Sequence, residues 1–72
     1  MRIAVLGATD QVEGFALAGA LVLAADATED LDRAWDELPD DVGVLVMTPP
    51  AWDRLHGRFD ERPQLLTTVS PP

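Results

Sequence analysis

Three sets of residues have the types and spacing that chemistry uses. Asp10 and Asp26 each follow a short apolar run. In an open α/β sheet both carboxylates would therefore fall at the carboxyl edge of the strands, where paired acids can hold a hard cation such as magnesium. His56 is the only imidazole and Ser70 the only serine, the minimum for nucleophilic catalysis. Arg54, Arg58 and Arg62 recur every fourth residue and form the only basic cluster.

None of these assembles into a reactive site. A receiver-type phosphoacceptor needs a third acid after the third strand and a lysine further on, but Met47 and Thr48 stand in the first place and the chain has no lysine. His56 lies between Leu55 and Gly57 with no serine or cysteine near it, and Ser70 sits between a strand end and the terminal prolines. The turn Gly7-Ala8-Thr9-Asp10 lacks the second and third glycines of a dinucleotide fingerprint, and its aspartate would repel a phosphate. The residues therefore predict no catalytic, cofactor-binding or metal-binding residue.

Composition narrows the partners. Thirteen acids against five arginines give a net charge of −8 over 72 residues, which disfavours nucleic acid and anionic lipid alike. The absence of lysine removes P-loop and Schiff-base chemistry. With no cysteine there is neither a disulfide nor a thiolate metal site. The longest apolar stretches, 16–25 and 42–47, are too short to span a bilayer, and no basic region precedes an apolar core, so a mature cytoplasmic protein is expected.

The elements that position these residues read as β-α-β-α-β-α-β. Ile3–Leu6 is a continuous apolar run suited to a strand buried on both sides, and Val42–Met47 suits the sheet centre. Ala20–Ala25 is the second strand, and Leu65–Ser70 suits an edge. Asp10 and Glu13 have the spacing of a capping box opening a first helix that stops at Gly19. Gly14 inside that helix points to a close approach, either by the sheet or by a partner backbone. Leu31, Ala34, Trp35 and Leu38 form a helical stripe after Thr28, with Trp35 a core residue. Thr48 caps a third helix over about 50–58, striped by Trp52, Leu55 and Phe59.

The pattern predicts one α/β domain over residues 1–72: a four-stranded parallel sheet of order 2-1-3-4 with three helices, Rossmann-like or flavodoxin-like. Right-handed crossovers put the second and third helices on one face and the first helix alone on the other. The outward side chains of the third and fourth strands are then uncovered, and so small a domain stands to gain from a partner there.

Gly7, Asp10, Val12 and the run Gly14-Phe15-Ala16-Leu17-Ala18-Gly19 resemble the start of the F subunit of V-type and A-type rotary ATPases, with its Gly-Asp-rich turn and Gly-Phe-x-Leu-Ala-Gly helix. The resemblance continues more loosely to the last strand, preceded by Pro63. It departs at Ala8, where the family usually has an acid, and at the last strand, after which members generally carry a further C-terminal helix.

The resemblance implies a non-catalytic subunit on the central rotor stalk. Such a subunit binds the coiled-coil D subunit and lies next to the catalytic head. It helps couple ATP hydrolysis or synthesis to proton or sodium transport, and it is cytoplasmic and peripheral to the membrane-bound complex. Its expected contact residues here are Gly14, Phe15 and Leu17, with Arg54, Arg58 and Arg62 as a patch for an acidic partner. Two other uses remain open on the residues themselves: a small switch-point ligand binder or degenerate receiver at 7–10 and 48–50, and a homodimeric scaffold that pairs its own bare faces.

Overall fold

A computed structural model describes residues 2–70, with the side chains of residues 16–18 outside that description. Four strands, β1 (Arg2–Gly7), β2 (Leu21–Ala24), β3 (Val42–Met47) and β4 (Leu66–Val69), form one sheet in the order β2-β1-β3-β4. Every neighbouring pair is parallel. The helices are α1 (Thr9–Val12), α2 (Thr28–Asp36) and α3 (Pro49–Leu55), and 3₁₀ segments Glu13–Ala18 and His56–Glu61 continue α1 and α3. The predicted class, strand order and helix count all hold.

Alternation along each strand sorts side chains to two faces. Ala4, Leu6, Leu45 and Met47 face α2 and α3, where with Leu31, Trp35, Leu38, Ala51 and Leu55 they form the main core. Trp35 is 1% exposed, so it belongs to the interior as its stripe predicts. Its ring lies 5.8 Å from that of Phe59, which meets Trp52 edge-on at 5.1 Å. Val12 and Val5 are also buried but stand apart from this cluster, on the face that carries α1.

The first helix departs from its predicted form. Ala8 is the N-cap and makes no side-chain capping bond, so Asp10 and Glu13 do not form a capping box. The cap comes from far along the chain: the Thr9 amide donates to Asp26 Oδ1 at 3.0 Å and the Thr9 hydroxyl to Oδ2 at 2.8 Å. The α-helix ends at Val12, and Gly19, at φ 83°, supplies the left-handed residue that turns the chain into β2. Because the 3₁₀ segment turns residue 14 to solvent, a Cβ on Gly14 would meet nothing within 4 Å, so the sheet makes no close approach there.

Thr48 is the N-cap of α3 by backbone position, yet its side chain makes no capping bond. It is buried against the Gly7 backbone: a Cβ on Gly7 would lie 2.6 Å from Thr48 Oγ1 and 3.0 Å from its Cβ. Gly7 is thus required by a close approach, and it joins the carboxyl ends of β1 and β3.

Candidate interaction surface

The face opposite α2 and α3 is incompletely covered. The register sets Ile3 beside Val44, Val5 beside Val46 and Val44 beside Leu66, which places all five on the α1 side of the sheet. Val5 is buried under the α1 side, but Ile3 is 48%, Leu66 66% and Phe15 38% exposed. Ile3 therefore differs from the expectation that β1 is buried on both faces; α1 is too short to reach it. An open groove of about 390 Å³ runs between Phe15, Gly19 and Ala20 on one side and Arg2, Ile3, Val5 and Val46 on the other. Aliphatic side chains of this size gain on the order of 1–2 kcal/mol each when water is removed from them, so the face favours a covering partner.

Of the residues expected to make contact, Phe15 lines this groove and Gly14 is exposed on the same segment. The side chain of Leu17 lies outside the described residues. The sequence alone does not mark Ile3, Val44, Val46 and Leu66 as contact residues. Their signal was period-two alternation in strands that lack a second covering helix.

The arginine row lies on the other face. Arg54 holds Asp32 through two bonds, of 3.2 Å from Nε and 2.6 Å from Nη2. Arg58 Nη2 lies 2.6 Å from Asp36 Oδ1 and 3.0 Å from Glu61 Oε1, and Arg62 Nη1 lies 3.9 Å from Asp40. Arg62 also donates to the Trp35 carbonyl at 3.1 Å, and Glu61 accepts the Trp35 indole N–H at 3.0 Å. These contacts fasten α2 to the α3 arm. An acidic partner would have to displace the chain's own carboxylates to use the row.

The ion pairs also set proton affinities. The Arg54 guanidinium holds the Asp32 carboxyl below the usual range, and Arg58, followed by the Trp35 indole, does the same for Glu61. Asp26 is lowered by the Thr9 amide and then by its hydroxyl.

The carboxyl edge of the sheet, where a small ligand or metal would bind, is engaged internally. Asp26 is committed to Thr9, and Thr48 fills the space over Gly7. Among the described residues no three His, Cys, Asp or Glu side chains converge as a metal site. His56 is exposed, with Nδ1 3.2 Å and 3.1 Å from the carbonyls of Trp52 and Asp53, and has no nucleophile to serve.

The family model for the ATP synthase (F/14-kDa) subunit matches residues 3–70. The fold is similar to the crystal structure of the F subunit of the V-type ATP synthase from Archaeoglobus fulgidus, with a TM-score of 0.80 and 26% sequence identity, covering 97% of this chain and 96% of that one. No curated protein matches.

Proposed function

The chain belongs to the family of ATP synthase (F/14-kDa) subunits, accessory components of a multi-subunit ATPase, and on that premise we propose that it is the central-stalk rotor subunit of a V/A-type rotary ATPase. In this role it has no catalytic residues of its own and couples ATP hydrolysis or synthesis to ion movement by docking. Its partners are a D-like coiled coil and the adjoining catalytic head, and its place is cytoplasmic, at the periphery of the membrane-bound complex. Among the described residues no helix is long and apolar enough to cross a membrane, which accords with a peripheral position.

The observation that carries the proposal is the incompletely covered strand face beside Phe15, on which Ile3 and Leu66 are exposed and Val44 and Val46 half-buried. Docking uses this face and the segment of Gly14, Phe15 and Leu17. The arginine row contributes by holding α2 and α3 together on the far side. A switch-point ligand site gains nothing from the geometry, because Asp26 and Thr48 are already engaged there.

Co-expression with the coiled-coil stalk subunit of the same ATPase, followed by size-exclusion chromatography, tests the proposal. A stable complex that is lost in Leu66→Asp is expected. A chain that stays monomeric beside the coiled coil, or a complex indifferent to Leu66→Asp and Ile3→Asp, would overturn it. Self-association through the same face would favour the homodimeric scaffold instead.

A further inference from the structure

A buried tryptophan is covered by a segment in which no residue is itself buried. Trp35 is 1% exposed. Four residues of the 3₁₀ segment and its end border it. The Arg58 and Arg62 guanidinium carbons lie 5.9 Å and 5.6 Å from the centre of its ring, and the Phe59 ring lies 5.8 Å away. Glu61 accepts its indole N–H at 3.0 Å, and Arg62 donates to its carbonyl at 3.1 Å. Yet none of residues 56–61 is buried, and in the run His56-Gly57-Arg58-Phe59-Asp60-Glu61-Arg62 only Phe59 is apolar.

Apart from Phe59, what holds this segment down is charge and hydrogen bonding at the surface. Arg58 bridges Asp36 on α2 and Glu61 in its own segment, both of them exposed. Arg62 lies 3.9 Å from Asp40, which is fully in solvent. Ion pairs this open to water contribute little and are screened by salt, and a 3₁₀ turn has poor hydrogen-bond geometry with which to hold its own shape.

We propose that residues 56–62 form a strap that unclasps from α2 as a local unit, with the sheet and α3 intact, and so governs the exposure of Trp35. The pivot is the point where α3 gives way to the 3₁₀ segment. On the α3 side of it Ala51 and Leu55 are buried in the core and Arg54 keeps its two bonds to Asp32, so the helix stays seated. Salt favours the open form. The device lies on the face opposite the groove beside Phe15 and does not depend on what docks there.

Solvent-exchange NMR in low salt and in about 1 M sodium chloride, where charges more than ~3 Å apart are screened, tests the strap. The readouts are the Trp35 indole N–H, bonded to Glu61, and the Arg62 amide, bonded to the Phe59 carbonyl. The Leu6 and Leu45 amides of the central strands β1 and β3 are the reference. Exchange at the two strap positions, taken relative to the two core amides, is expected to rise at least about threefold from low to high salt, the scale of losing one or two exposed ion pairs. Arg58→Met should speed both strap positions in low salt and flatten their salt response. A ratio that does not change with salt, strap positions that exchange in step with the core at both salts, or Arg58→Met exchange equal to that of the parent chain would overturn the inference.

Discussion

Arg58 reaches Asp36, 22 residues back along the chain and separated from it in sequence by β3, and the neighbouring rung from Arg54 to Asp32 spans the same separation. Arg62 and Asp40 continue the series at longer range. Two acids four residues apart on α2, followed at the same spacing by Asp40 in the turn beyond it, therefore meet a row of arginines every fourth residue along the α3 arm. Two crossover helices packed side by side in the same direction bring such rows into register.

The ladder predicts acid sensitivity. Asp32, Glu61 and Asp26 have folded-state proton affinities below those of the unfolded chain. Their stabilising effect is fully present above the ordinary carboxylate range of about pH 4 and is lost as pH falls through the lowered folded values. Urea midpoints should be flat from pH 8 to about 5 and drop below about 4. In Arg58→Met the acid-side drop should be smaller and the neutral midpoint modestly lower.

Gly7→Ala should destabilise the chain by about 1–3 kcal/mol, the usual cost of forcing an extra methyl into a packed site. The obstructing atoms belong to a short, β-branched, buried side chain that has nowhere to turn. Adding Thr48→Ala should recover part of the loss, since it removes the nearest atoms and leaves the Thr48 Cβ. Urea unfolding of the three variants measures both effects.

Trp35→Ala should leave the chain largely unfolded at 25 °C. Removing a buried tryptophan costs about 3–5 kcal/mol, a large share of the stability available to a domain of this size. Here the loss also strips Glu61 of its indole donor and Phe59 of its ring partner. Far-ultraviolet circular dichroism detects it directly.

Asp26→Ala should loosen the start of α1 without unfolding the sheet, whereas Asp26→Asn, which keeps one acceptor oxygen, should have the milder effect. Amide exchange at Thr9 is the readout. Faster exchange confined to the first helix is the expected outcome; unchanged exchange would show that the Asp26 contact does not hold that end.

Much of the architecture is legible in the sequence because continuous apolar runs and one clear helical stripe carry it. Val42–Met47 reads as a central strand and is one, and Leu31, Trp35 and Leu38 are buried as their spacing requires. The first helix is not legible in the same way, because a local pattern, Asp10 followed by Glu13, imitates a capping box, while the true cap sits 17 residues away on Asp26. No short-range rule signals that partner. The arginine row is visible but its mates are not, although Asp32, Asp36 and Asp40 carry the same four-residue repeat. The open face follows from the helix count. Which side chains line it follows only once the register is known.

The contact between Gly7 and Thr48 bears on pharmacology. In many open sheets of this kind, drugs and metabolites enter a hollow at the carboxyl ends of the strands, and here that hollow is occupied by a threonine. On the proposed docking reading, a compound meant to disable the assembly through this component would compete for the furrow beside Phe15, as a mimic of a protein surface.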